Sequence, residues 1–140
     1  MMLKTGQHIV YPKNIDQISL YFDEKILELI LSNILNNAIK YSPENTKINF
    51  KIRATSASLF FEIKDQGIGI PYKDQKHIFK RYFRAENVLT DQGTGIGLNI
   101  IKNHLESLGG SISFISPPNE GTTFFVELPL INKDENNSTH

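Results

Sequence analysis

Apolar residues recur at helical spacing early in the chain, at Ile26, Leu27, Ile30, Ile34, Leu35 and Ala38, and this pattern predicts an amphipathic helix over residues 23–41. Asp23 is a suitable cap, and Ser42-Pro43 ends the helix because the residue before a proline is pushed out of helical backbone geometry. The period then changes to two: Ile48, Phe50 and Ile52 alternate with polar residues, as do Leu59, Phe61 and Ile63, predicting two half-buried strands. Continuing the second alternation by one step puts Asp65 on the inward face, where another apolar side chain is expected. From Gln66 to Gly97 the periodicity lapses except for a short helical piece around Asp74 to Phe83, leaving a long segment of the kind that is usually functional or mobile. Helical spacing resumes from Ile96 to Leu108 and stops at Gly109-Gly110; Ser111 to Ser116 and Thr122 to Leu128 then alternate as a hairpin across Pro117 to Gly121. Earlier strands are expected at His8 to Val10 and Gln17 to Phe22, and Asn132 to His140 reads as a disordered polar tail.

The 140 residues suit one domain, taken as residues 1–131 followed by the tail at 132–140, with hydrophobic content of 39% that is ordinary for a soluble protein. Fifteen basic residues balance fifteen acidic ones, so nothing in the overall charge recruits nucleic acid or an anionic membrane, and any anion binding has to be local. There is no cysteine, hence no disulfide framework and no thiolate metal site. No apolar run approaches membrane-spanning length and the polar start from Met1 to His8 is no signal peptide, so a soluble, cytoplasmic chain without membrane contact is expected.

Four segments carry candidate chemistry. On the first predicted helix Asn33, Asn37, Lys40 and Tyr41 share one side, which is either a solvated polar face or a set of amides and a cation for metal and phosphate oxygens. Asp65 opens the run Asp65-Gln-Gly-Ile-Gly-Ile70; read alone it is a turn aspartate before glycine, but a buried carboxylate needs a donor, and the exocyclic amine of adenine is one. The run Gly93-Thr-Gly-Ile-Gly-Leu98 precedes a helix, so free N–H groups and the positive end of the helix dipole are available to phosphate, although a simple glycine-rich turn fits as well. No lysine followed by serine or threonine closes that run, which excludes a Walker loop, and the strand, glycine, helix order of a dinucleotide fingerprint is missing. Between the runs, Ile78 to Arg84 combines apolar anchors with three cations, compatible with a basic surface helix or with a lid that offers Arg81 or Arg84 to phosphate.

In order and combination these segments resemble the ATP-binding catalytic domain of sensor histidine kinases, within the GHKL superfamily shared with gyrase, chaperone and mismatch-repair ATPases. Asn33 to Tyr41 is similar to the family's N box, Asp65 to Gly69 to its first glycine box, Phe79 to Arg84 to its F box, Gly93 to Gly97 to its second glycine box, and Gly121 to Pro129 to its closing strand. The resemblance spans about residues 17–130 and implies an α+β fold: a two-layer α/β sandwich of the Bergerat type, with a mixed, mainly antiparallel sheet covered on one face by helices and a mobile ATP lid. It implies ATP and magnesium as cofactors. Asn37 would coordinate the metal, Asn33 would support the phosphates, Asp65 would bind adenine in a pocket shaped by Gly67 and Gly69, and Gly95 and Gly97 would meet the phosphates. The ATP contacts so implied extend to Lys40, Tyr41, Ile70, Gly93, Thr94, Leu98 and Thr123, with Asn33, Lys40, Arg81 and Arg84 in catalytic roles.

The ATP-hydrolysing members of the superfamily place a glutamate four residues before the metal-binding asparagine. Here that position is Asn33, and an amide cannot serve as the base, which favours phosphoryl transfer over hydrolysis. None of the histidines, His8, His77, His104 and His140, lies in the family's acceptor pattern. The expected function is therefore transfer of the γ-phosphate to a histidine on a separate dimerisation and acceptor domain, and onward to a response-regulator receiver aspartate, by a catalytic fragment that does not autophosphorylate alone. Two other readings stand beside it: a serine kinase of the anti-sigma-factor type, which typically keeps an acidic residue at the Asn33 position, and a non-catalytic module whose partner binding depends on nucleotide.

Overall fold

The computed structural model describes residues 3–11, 24–80 and 97–129. They form β1 (His8–Val10), α1 (Glu24–Tyr41), β2 (Lys47–Ala54), β3 (Ser58–Lys64), α2 (Tyr72–Gln75), α3 (Gly97–Ser107), β4 (Ser111–Ile115) and β5 (Thr123–Pro129). The strands build one five-stranded sheet in the order β1-β2-β3-β5-β4. β1 runs parallel to β2, and every other neighbouring pair is antiparallel, so the sheet is mixed and mainly antiparallel as expected.

Register follows from the period-two pattern. Phe50 sits opposite Ile63, Phe61 opposite Val126, and Phe114 opposite Phe124, so that the apolar side chains of neighbouring strands share one face. Ile48, Leu59, Ile63 and Leu128 from that face close against Ile30 and Ile34 of α1 and Ile101 and Leu105 of α3, all of them fully buried. At roughly 25 cal/mol per Å2 of apolar surface removed from water, this layer is the main source of stability. α1 and α3 pack on each other as well as on the sheet, which gives the two-layer sandwich. The opposite face of the sheet is not covered by a helix among the described residues: Arg53 stacks its guanidinium 4.4 Å from the Phe60 ring centre there.

The expected strand at Gln17 to Phe22, the Asp23 cap and the tail from Asn132 lie outside the described residues. The helix expected around Asp74 to Phe83 differs within them. A single turn, α2, starts at Tyr72 behind Pro71, and the chain then continues in tight turns, with His77 N–H donating to Asp74 O and Lys80 N–H to His77 O at 2.9 Å each. Tight turns let two consecutive apolar residues face the core: Ile78 is buried, and the Phe79 ring packs against Phe114 of β4 with centres 6.0 Å apart.

Candidate functional site

The site forms where β3 ends. The alternation that buries Leu59, Phe61 and Ile63 carries Asp65 to the same inward face, where its side chain is 6% exposed. Its Oδ1 accepts two backbone N–H groups, from Gly67 at 2.8 Å and from Thr122 at 3.1 Å, while the Asp65 N–H donates to Thr122 O at 2.9 Å. Among the described residues nothing donates to Oδ2. Burial raises the Asp65 carboxyl above its ordinary value of 3.8, and the two N–H bonds, which favour the charged form, offset part of that rise.

Close backbone approach shapes the surrounding loop. A Cβ on Gly67 would lie 2.4 Å from Tyr41 O at the end of α1, so only glycine lets the loop pass under that helix. Gly121, at φ +82°, leaves only 2.3 Å between a Cβ and Asp65 O, which puts a glycine requirement on the other flank of the carboxylate. Ile68 O accepts from Asn119 N at 3.1 Å, beside Gly69, and ties this loop to the β4–β5 connection. Ile70 N–H donates to Ser116 Oγ at 2.7 Å, and Gln75 Nε2 donates to both Ile70 O and Ser116 O, at 3.0 and 2.8 Å. Ser116 Oγ also meets Thr122 Oγ1 at 2.8 Å, so α2, the loop after Asp65 and the start of β5 share one buried polar cluster.

α1 contributes its flank. Ile30, Ile34 and Ala38 are buried, and Asn33 and Asn37 are half-buried beside them. Asn33 Nδ2 donates to Leu29 O one turn back at 2.7 Å, which fixes the amide plane, and its oxygen accepts from no donor among the described residues. The Lys40 ammonium is exposed and lies 5.6 Å from the Tyr41 ring centre. Gly97 and Leu98 begin α3, whose first turn holds no acidic residue to compete with an anion. Arg81, Arg84, Gly93, Thr94 and Gly95, and with them most of the expected lid, lie outside the described residues.

The structure thus brings together Asp65, Gly67, Gly69 and Ile70 with the end of α1. It does not bring Thr123 to them. Thr123 belongs to the set of Phe125 and Glu127 on the opposite face of β5, while its neighbour Thr122, 7% exposed, reaches the Asp65 carboxylate. The sequence pattern assigns no site role to Thr122, Ser116, Gly121 or Gln75. For Thr122 a signal existed, because stepping back by two from Phe124 gives an inward position. A concavity of ≈ 700 Å³ lies across the sheet, lined by residues including Arg53, Phe60, Glu62 and Phe125; Asp65 does not line it.

Residues 22–132 match the model of the family described as histidine kinase-, DNA gyrase B-, and HSP90-like ATPase. Over 135 residues the chain is 36% identical to the sensor histidine kinase WalK of Bacillus subtilis (strain 168), covering 92% of this chain and 22% of that one. It is 35% identical over 118 residues to the sensor-like histidine kinase SenX3 of Mycolicibacterium smegmatis, covering 83% of this chain and 31% of that one. The chain therefore spans about a quarter of the length of these relatives. Among solved structures, the catalytic domain of histidine kinase ThkA superposes with a TM-score of 0.75 at 25% identity, over 89% of this chain and 81% of that one. Full-length ShkA in complex with AMPPNP superposes with a TM-score of 0.76 at 23% identity, over 91% of this chain and 26% of that one, which bears on the fold alone.

Proposed function

The chain belongs to the histidine kinase-, DNA gyrase B- and HSP90-like ATPase family, and from that premise we propose that it binds ATP with magnesium and passes the γ-phosphate to a histidine on a dimerisation and acceptor domain. The observation that carries this reading is the Asp65 carboxylate: buried, held by two N–H groups at Oδ1, and with Oδ2 left to accept from a ligand's N–H. The exocyclic amine of adenine supplies that donor, and the desolvation that makes an unpaired carboxylate costly makes the pairing selective.

The donor set fits magnesium held jointly with substrate phosphates. No group of three or more His, Cys, Asp or Glu side chains among the described residues makes a cage of its own, and magnesium commonly takes one or two protein oxygens plus phosphates. Asn37 would hold it by its side-chain oxygen, and the ion would neutralise charge developing on the transferring phosphate. Asn33, pinned through its Nδ2 to Leu29 O, keeps an oxygen that accepts but cannot abstract a proton from water, which supports transfer to a partner side chain over hydrolysis. The N–H groups opening α3 would face phosphate oxygens, and Lys40, Arg81 and Arg84 would supply cations.

A response-regulator receiver domain is the proposed final acceptor, and the cytoplasm the proposed compartment. No helix among the described residues is long and apolar enough to cross a membrane. The test is calorimetric titration with an ATP analogue with and without magnesium, beside folded Asp65→Asn, followed by transfer to an added acceptor-helix domain. Magnesium-aided binding that the variant loses, followed by acid-labile phosphohistidine, supports the reading. Acid-stable phosphoserine would favour a serine kinase, and nucleotide-dependent partner binding without any transfer would favour an interaction module.

A further inference from the structure

Upstream of β1, residues that no motif includes are fastened to the end of α1. Gln7 is 5% exposed, and its Nε2 lies within bonding distance of three carbonyls: Ile39 O at 3.1 Å, Ser42 O at 2.9 Å and Pro43 O at 3.2 Å. Lys4 Nζ donates to Lys40 O at 2.8 Å and to Ser42 O at 2.7 Å. The two residues hold each other, with Lys4 N–H donating to Gln7 Oε1 at 2.9 Å and Gln7 N–H donating to Lys4 O at 3.1 Å. A helix leaves its last carbonyls without intrahelical partners and gathers partial negative charge there, so an amide and an ammonium are the chemistry such an end needs.

What makes this more than a cap is the carbonyl in the middle. In chain order Tyr41 O falls between Lys40 O and Ser42 O, both of which Lys4 holds, and it is the atom against which Gly67 packs. Gly67 N–H in turn donates to Asp65 Oδ1. We propose that Gln7, assisted by Lys4, is a positioning residue for the adenine pocket: it fixes the last turn of α1, that turn fixes the Gly67 loop, and the loop fixes Asp65. The pocket's geometry then depends on residues 3–7, and a displacement of that segment loosens it. The proposal rests on the nucleotide reading for its consequence, but not for the linkage itself.

Hydrogen exchange of the free protein tests the linkage without nucleotide. In Gln7→Met, which keeps the bulk and removes the donors, the amides of Gly67 to Gly69 and the last turn of α1 are expected to exchange faster while the β3–β5 ladder keeps its wild-type rates. Titration with an ADP analogue is expected to show roughly tenfold weaker binding for Gln7→Met and a smaller loss for Lys4→Met, with Lys4→Arg restoring the affinity. Wild-type exchange at Gly67 in Gln7→Met overturns the proposal. So does acceleration spread evenly over all strands, which marks general destabilisation. Should wild type itself fail to bind the analogue, the nucleotide reading falls while the exchange pattern still decides the linkage. If Gln7→Met does not fold, Lys4→Met carries the same comparison, and unchanged exchange at Gly67 overturns the proposal there too.

Discussion

Asp65 and Thr122 lie 57 positions apart in the chain and are joined in both directions, the Asp65 N–H donating to Thr122 O and the Thr122 N–H donating to Asp65 Oδ1. The backbone bond is untouched when the carboxylate becomes an amide, and the two bonds that Oδ1 accepts, from Gly67 and Thr122, survive in principle because an amide oxygen also accepts two donors. Asp65→Asn is therefore expected to stay folded, with a thermal midpoint at neutral pH no lower than wild type, since a buried charge has been removed. Adenine-nucleotide affinity should fall by about 10- to 100-fold, because the proposed acceptor for the adenine amine would lose its charge. Thermal melts beside calorimetry check this, and retained affinity in the folded variant would sink the adenine role of Asp65.

The same carboxyl sets a sign for pH dependence. Its folded pKa is raised above 3.8 by burial, so the folded state favours the protonated form. The corresponding stability is fully present below the unfolded value and is lost as pH rises through the folded one. Denaturation midpoints of wild type minus those of Asp65→Asn should accordingly decline as pH is raised from about 3.8 and level off once the carboxyl is ionised in both states. A difference that stays flat, or one that grows in favour of wild type, contradicts the assignment.

Asn37 is half-buried on α1 and contributes no part of the apolar core. Asn37→Ala is expected to leave the thermal midpoint nearly unchanged, within about 0.5 kcal/mol, because alanine is the better helix former and no partner among the described residues is stranded. Nucleotide binding measured with and without magnesium should become nearly equal in the variant. A full magnesium response in Asn37→Ala would move the metal site elsewhere.

Much of this was legible in the order of residues because periodicity reports which face is buried. The inward run of β3 marks Asp65 as a carboxylate on the core side, and the spacing of Ile30, Ile34 and Ala38 marks the neighbouring flank of α1. The same arithmetic on β5 selects Thr122 over Thr123. Other parts have no periodic trace. Gln7 and Lys4 sit in a short polar segment, and their partners lie 32 to 38 positions away. The Ser116 cluster joins residues from three segments that only the folded sheet brings together. α2 is shorter than its sequence suggests because Ile78 and Phe79 face the core together, which tertiary packing rather than helix propensity decides.

Two buried serines make opposite predictions. Ser116 is 4% exposed and its hydroxyl accepts from Ile70 N–H, lies 3.1 Å from Gly121 O as donor, and meets Thr122 Oγ1. Ser116→Ala strands these groups in the interior, and a loss of about 1–3 kcal/mol is expected, with the Ile70 and Thr122 ends of the pocket loosened. Ser42 is more deeply buried, at 0% exposure, yet its Oγ has no hydrogen-bond partner among the described residues. Removing an unsatisfied buried hydroxyl recovers desolvation rather than losing a bond, so Ser42→Ala should be neutral or stabilising despite the greater burial. Denaturant unfolding of both variants decides it: a larger loss at Ser42 than at Ser116 would show that burial, and not hydrogen bonding, governs these two positions.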